Sequence, residues 1–306
     1  MPHVKNVFAS LSSLKAATRA RAQFDDPDRK FDAESVFPPA STRPEPADAI
    51  NLLLRVLTDA EGTADSERTA DGDIFALVHL PADGSGLFIL VFNPSTEVES
   101  GVSLGTLVDE SGWPVYVAVV EEFLGQRVDH VMELDFDALA AIIDRLGPLA
   151  VYSSTAFTSG TAEFVSGTNH LTGETARPFA TTSAVDDAGQ TRTRNQRALL
   201  RAVVGALNFG WLAKNPQELV AIFGEVAAGS RTDAGVTTKE LAGLSGRLRQ
   251  VAQTDIITVT VPTTSRREES GAVRVGFDEE AVPALRDALG AGEGAEFVRG
   301  IASLGY

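Results

Sequence analysis

"WPVYVAVVEEFLGQRVDHVMELDFDALAAIIDRLGPLAVY" runs from Trp113 to Tyr152 and decides the fold. Its first third, "WPVYVAVVEEFLG", reads as a helix in spite of its β-branched residues, because "QRVDHVMEL" after it is a much better strand. "DFDALAAIIDRLGP" is a second helix. An Asp can cap its start, Leu139, Ile142, Ile143 and Leu146 make one apolar stripe, and Gly147-Pro148 stops it. "LAVY" (149–152) is then a short strand. Helix, strand, helix and strand in succession predict an α/β domain.

The flanks extend that pattern. "INLLLRVL" (50–57) reads as a buried strand, and "AEGTADSERTADGD" (60–73) as a polar loop. "IFALVHL" (74–80) and "GLFILVF" (86–92) read as two strands joined by the turn "PADGSG". Their near-continuous apolar character calls for a sheet covered on both faces. From Ser153 to Gln190 the pattern weakens, with few large aliphatics and many Thr, Ser and Gly, as in a long functional or disordered loop. "NPQELVAIFGEVAAG" (215–229) is a helix with Asn215 as cap and Pro216 in its first position. Thr237 and Glu240 form a capping box for the next helix. "DIITVTVP" and "GAVRVGF" are strands, and "EEAVPALRDAL" closes the domain with a helix. The expected architecture is a mixed central sheet with helices on both faces. Residues 1–48 form a basic amphipathic segment and a Pro/Asp-rich linker or wrap, 49–290 the domain, and 291–306 a tail.

Between the loop and the C-terminal half lies "GQTRTRNQRALLRAVVGAL" (189–207), with four arginines between Arg192 and Arg201 in a chain of net charge −16. At about 100° per residue, Arg194, Arg197 and Arg201 fall on one stripe of a helix, and Leu199, Leu200, Val203, Val204 and Leu207 on the other side. Arg192 stands at the loop–helix junction. The stripe is either a solvated face or a seat for an anion.

Bulk composition narrows the function. A net charge of −16 argues against nucleic acid as the main ligand. With no cysteine there is no disulfide, thiolate metal site or cysteine nucleophile. The four histidines show no metal-ligand spacing, "GSG" at 84–86 is followed by no helix, and no G-x-S-x-G elbow occurs. No stretch reads as a transmembrane helix or signal peptide. Residues 4–21 carry Val4, Val7, Phe8, Leu11 and Leu14 at helical spacing among four basic residues. They read as a helix packed on the body or a partner, or as a segment at a membrane surface.

The order of these motifs resembles the LytR-CpsA-Psr (LCP) family of bacterial cell-envelope proteins from about Ala49 to Leu289. The stretch from Val115 to Tyr152 is similar to that family's helix followed by its D-H-Y…D-F…L-G-G-V unit. "GTNHLTGETA" resembles its L-x-G-x-x-A-L loop, and "RTRNQRALLRAV" its R-x-x-R-Q-Q helix. The resemblance implies an α/β/α domain that transfers glycopolymers from polyprenyl-pyrophosphate lipid carriers to peptidoglycan. Arginines would hold the pyrophosphate and acids a Mg2+ ion, as guanidinium forks and hard oxygen ligands suit those charges.

Carried over residue by residue, the resemblance assigns catalysis to Arg194 and Arg192, substrate binding to Arg197, Gln196 and Arg177, and a Mg2+ ligand to Asp73. The Arg and Asp of the family's I-P-R-D-T motif fall on Pro94 and Ser95. Its Tyr-x-Arg-x-Arg pair falls on Thr181 and Ser183. Losing several preorganised donors removes rate without removing the fold. The leading expectation is therefore a domain with weakened or lost catalysis that binds a polyprenyl-(pyro)phosphate lipid or glycopolymer. An active Mg2+-dependent phosphotransferase with a reduced site, and a structural or partner-binding domain, are the alternatives. The expected location is the cell envelope if an anchor precedes Met1, and the cytoplasm otherwise. Oligomeric state is open.

Overall fold

The computed structural model describes residues 14–58, 72–99, 101–182 and 187–303. Most of the amphipathic segment 4–21 and of the polar loop 60–73 therefore lies outside the described residues, as does Ser183. In chain order the elements begin with α1 (14–24), β1 (Lys30–Phe31), α2 (Ala33–Val36), β2 (Ile50–Leu57), β3 (Ile74–Leu80) and β4 (Leu87–Phe92). There follow β5 (Thr96–Glu99), β6 (Val102–Ser103), α3 (Leu104–Ser111), α4 (Trp113–Leu124), β7 (His130–Asp135), α5 (Phe136–Leu146) and β8 (Leu149–Ser153). Then come β9 (Phe157–Ser159), β10 (Ala162–Phe164), β11 (Gly167–Leu171), α6 (Gly173–Thr181), α7 (Gln190–Ala206), α8 (Phe209–Lys214) and α9 (Pro216–Gly229). The chain continues through β12 (Ser230–Asp233), α10 (Thr238–Leu248), β13 (Ile256–Thr260), β14 (Thr263–Arg267), β15 (Val273–Phe277), α11 (Ala281–Gly290) and α12 (Gly294–Ser303).

Seven strands form the central sheet in the order β1-β12-β7-β2-β3-β4-β13. β2 pairs parallel with β7 and antiparallel with β3, and β13 joins β4 in parallel, so the sheet is mixed. Side chains alternate across it. Leu53, Phe75, Leu77, Phe88, Leu90 and Val131 point into one core with α3, α4, α11 and α12. Val56, Ile74, Ala76, Ile89, Val91 and Leu134 point into the other with α5, α6 and α7. Both faces are thus covered, which accounts for the continuous apolar runs of β3 and β4.

α4 and α5 confirm the opening stretch. Pro114 sits in the first turn of α4, and Gly125, in the left-handed region at φ 61°, ends it. Asp135 holds the N-cap position of α5 without a side-chain hydrogen bond to the first turn, so register with β7, not capping, fixes that start. Likewise Asn215 does not cap α9; its Nδ2 donates to the Trp211 carbonyl at 2.8 Å.

Three segments depart from the sequence reading. Residues 153–190, read as one long loop, fold into β9, β10, β11 and α6. Phe157, Phe164 and Phe179 hold them together, with ring centroids 4.7 to 5.8 Å apart. Strands of three to five residues are too short for period-two alternation to show. Residues 25–48 contribute more than a wrap. Phe31 and Val36 are buried in the first core, and Arg43 pairs with buried Glu121 at 2.7 Å. Residues 291–303 include α12, whose Val298 and Ile301 join that core.

Candidate functional site

The ends of β2 and β4, the residues entering β3, and the first turn of α7 meet at one end of the sheet. Asp73 enters β3 there, 1% exposed. Its Oδ2 accepts from Arg55 Nε at 2.7 Å, and its Oδ1 accepts from Thr58 N and Oγ1 at 2.9 and 3.1 Å. Arg55 lies with Leu53 on the α4 side of β2, and its guanidinium stands 5.3 Å from the Phe75 ring centroid. The same guanidinium reaches Asp109 of α3 at 2.9 Å and Glu133 of β7 at 3.8 Å. Sequence reading missed Arg55, Asp109 and Glu133. A single Arg in "INLLLRVL" reads as one polar residue in a strand, and its partners lie far along the chain.

Asp73 does not fit the Mg2+-ligand role expected of it. Three donors already engage its two oxygens. A divalent ion touching it would approach a buried guanidinium of like charge, whose Nε stands 2.7 Å from Oδ2. Among the described residues, no group of three or more His, Asp or Glu is placed to hold a metal ion.

Gln196 belongs to this end of the sheet. It is fully buried, and its Nε2 donates to the carbonyls of Gly72 and Asp73 at 3.0 and 3.2 Å. Arg192, 9% exposed, lies on the same helical phase. A Cβ on Gly189 would stand 3.0 Å from Arg192 Nη2, 2.9 Å from Ser95 Oγ and 3.1 Å from Asn93 Oδ1. Gly189 also has φ 78°, so only glycine lets the Asn93–Ser95 turn close on the first turn of α7. Ser95, at the position of a missing acid, is therefore next to Arg192. Arg177 of α6 bonds the Thr58 carbonyl and Asp137 and stacks 4.9 Å from Phe136. Thr58 thus links Arg177 to Asp73. Thr181 turns back on its own helix, donating to the Arg177 carbonyl at 3.0 Å.

Arg194 and Arg197 face elsewhere. With Arg201 they line a cleft of about 410 Å3 between α7 and β8, shared with Ala150, Tyr152 and Ser154. Arg194 and Arg201 have no acidic partner among the described residues. Burial, and then the charges of Arg194 and Arg201, lower the pKa of Arg197. Tyr152 stands 66% exposed at the rim. So α7 presents two faces. Arg192 and Gln196 point inward with Leu199 and Val203, while Arg194, Arg197 and Arg201 point into an open cleft. The predicted residues are not one constellation. The signal that could have separated them is the i, i+4 spacing of Arg192 and Gln196 in phase with the aliphatics.

A further cavity of about 650 Å3 lies between α1, α8, α9 and α10, lined by Leu212, Leu219, Val220, Phe223, Leu241 and Leu248 among others. Leu212 and Leu248 sit in small cores against which Leu207 and Val204, at the C-terminal end of α7, also pack.

Of the histidines, His79 is buried and stacked on Phe88 at 6.0 Å. Asn51 Nδ2 donates to the Arg127 carbonyl, which turns Asn51 Oδ1 toward His79 Nδ1 at 2.6 Å. That nitrogen therefore carries the proton. Burial, with help from Arg247, pushes the His79 pKa down to about 4. Glu97, near the missing acid in sequence, pairs with Arg274 in a separate four-stranded sheet.

Comparison with known proteins matches this architecture. Over 94 residues the chain is 31% identical to the polyisoprenyl-teichoic acid–peptidoglycan teichoic acid transferase TagU of Bacillus mycoides (strain KBAB4), covering 30% of this chain and 31% of that one. TagU of Bacillus cereus (strain AH820) is 30% identical over the same length. The alignment thus spans about a third of these curated relatives. Among solved structures, TagV of B. subtilis superposes with a TM-score of 0.62 at 18% identity, covering 80% of this chain and 97% of TagV. A structure described as TagT bound to LI-WTA gives 0.58 at 16%, covering 83% and 97%. At those identities the likeness is one of fold. The model of the LytR_cpsA_psr family matches residues 97–290, well over half of the chain, so the protein belongs to the LytR-CpsA-Psr family.

Proposed function

We propose that the protein is an LCP domain of the cell envelope that binds a polyprenyl-phosphate-linked anionic glycopolymer and transfers it weakly or not at all. The observation that carries this reading is the open cleft of Arg194, Arg197 and Arg201 beside exposed Tyr152. Guanidinium forks suit phosphate oxygens, and an exposed ring suits a sugar face. The apolar cavity at the far end of α7 supplies a second surface, of the kind a prenyl chain needs. Weak transfer follows from what surrounds Asp73. Its carboxylate is already engaged, Pro94, Ser95 and Thr181 stand where donors or acids were expected, and Arg177 is tied to Asp137. Each lost preorganised donor costs about 100- to 1,000-fold in rate. The matched relatives are named as teichoic acid transferases, which supports the polymer class. No helix among the described residues is long and apolar enough to cross a membrane; attachment to a membrane surface through the basic amphipathic sequence of residues 4–21 is part of the proposal.

The test is to extract protein purified from a bacterium that makes polyprenyl-linked polymers and analyse the extract by mass spectrometry. In parallel, a synthetic polyprenyl pyrophosphate is offered as substrate. Bound prenyl lipid with negligible turnover is expected. Efficient Mg2+-dependent turnover would instead establish the active phosphotransferase. Neither lipid nor binding would leave the partner-binding role.

A further inference from the structure

Arg55 is a permanent cation held inside the protein, its side chain 3% exposed, and three elements converge carboxylates on it. Asp73 comes from the residues before β3, Asp109 from α3, and Glu133 from the directly paired position of β7. Three acids around one guanidinium is more negative charge than an ion pair needs. Spread over the edges of the guanidinium, the three acids do not stand as a metal site while Arg55 is in place, but carboxylate oxygens are the ligands hard divalent cations select where they can close together. Here the cation is part of the chain, and a guanidinium cannot be lost by deprotonation at any physiological pH. Tyr116 stands nearby with a buried hydroxyl that has no hydrogen-bond partner among the described residues. Burial pushes its pKa far up, and the charge of Arg55 works against that.

We propose that Arg55 is a resident counter-ion that occupies the carboxylate cluster around Asp73 and closes it to a divalent metal. Arg55 touches no ligand in this role. It acts through Asp73, pairing with that carboxylate and closing it to metal ions. The inference concerns the site around Asp73 alone, and its test uses metal ions in place of lipid, so it stands or falls apart from the proposed ligand.

The experiment is a Mn2+ titration followed by electron paramagnetic resonance, on the wild type, Asp73→Asn, Arg55→Met and the double variant. Because the chain is acidic, the readout is the part of Mn2+ binding that depends on Asp73. The wild type should bind Mn2+ no differently from Asp73→Asn. Arg55→Met, which empties the site and leaves its acids, should gain at least about tenfold in Mn2+ affinity, and the double variant should lose the gain. A role in packing alone would not create a metal site. Stoichiometric Mn2+ on the wild type that Asp73→Asn removes would overturn the proposal, as would a folded Arg55→Met with no gain. If circular dichroism shows Arg55→Met unfolded, the comparison of wild type with Asp73→Asn decides the question by itself.

Discussion

Asp73→Asn should destabilise the protein far more than an exposed acid would. The substitution keeps the shape and can keep the acceptor for Thr58 N, but it turns an amide N–H2 toward Arg55 Nε, where a carboxylate oxygen now accepts at 2.7 Å. Two donors then face each other in a buried site. Asp109 is 36% exposed and Glu133 is 3.8 Å away, so neither replaces the lost charge at that edge of the guanidinium. Removing one partner of a buried pair costs about 3–5 kcal/mol, because the other charge is left uncompensated. With an unfolding entropy of about 2.1 cal/mol/K per residue, that corresponds to roughly 5–8 °C in Tm for a chain of this length. Differential scanning calorimetry reads it directly. The double variant Asp73→Asn/Arg55→Met should recover part of the loss, since the buried guanidinium is gone and the acids left behind, Asp109 and Glu133, are more exposed than Asp73. A single-variant shift under about 1 °C, or a double variant no more stable than the single, would refute the pairing argument.

Three further outcomes are expected. Arg194→Ala with Arg201→Ala should weaken binding of a polyanion such as inorganic polyphosphate at least tenfold while moving Tm by less than about 2 °C, as both side chains are exposed; fluorescence polarisation and calorimetry check the two halves. His79 has a folded pKa of about 4 against 6.5 in the unfolded chain, so its burial costs stability only where the unfolded chain takes up the proton. Stability should therefore fall between pH 6.5 and 4 by up to about 3 kcal/mol from this group, and urea titrations of His79→Gln should show a shallower acid slope. Phe164→Ala should cost about 3–5 kcal/mol and raise hydrogen exchange through 157–179, because that segment rests on three rings.

What the sequence reveals depends on how far apart the interacting residues are. α4, β7, α5 and β8 are legible because local pattern and left-handed stops such as Gly125 coincide with the tertiary answer. β9 to β11 are not, because their order comes from Phe157, Phe164 and Phe179 meeting across a segment that is otherwise polar. The site divides the same way. Helical phase correctly groups Arg194, Arg197 and Arg201, which share one helix. It says nothing of Arg55, whose partners come from residues 73, 109 and 133. The surroundings of Asp73 are hidden in the sequence for the same reason, since packing brings Arg55 to it across the fold.

The pairing of Lys30–Phe31 with Thr232–Asp233 has a consequence for how the domain avoids its own kind. These two residues cap the outer edge of the central sheet, with Phe31 against Trp113 and Arg231 across its ring. Without them, Ser230–Asp233 would offer unpaired backbone N–H and C=O groups to any passing strand. A version trimmed to residue 49 should thus form soluble aggregates on storage, where one beginning ahead of Asp26 stays monodisperse. The N-terminal arm thus shortens, to the two residues of β1, the backbone edge that this side of the sheet presents.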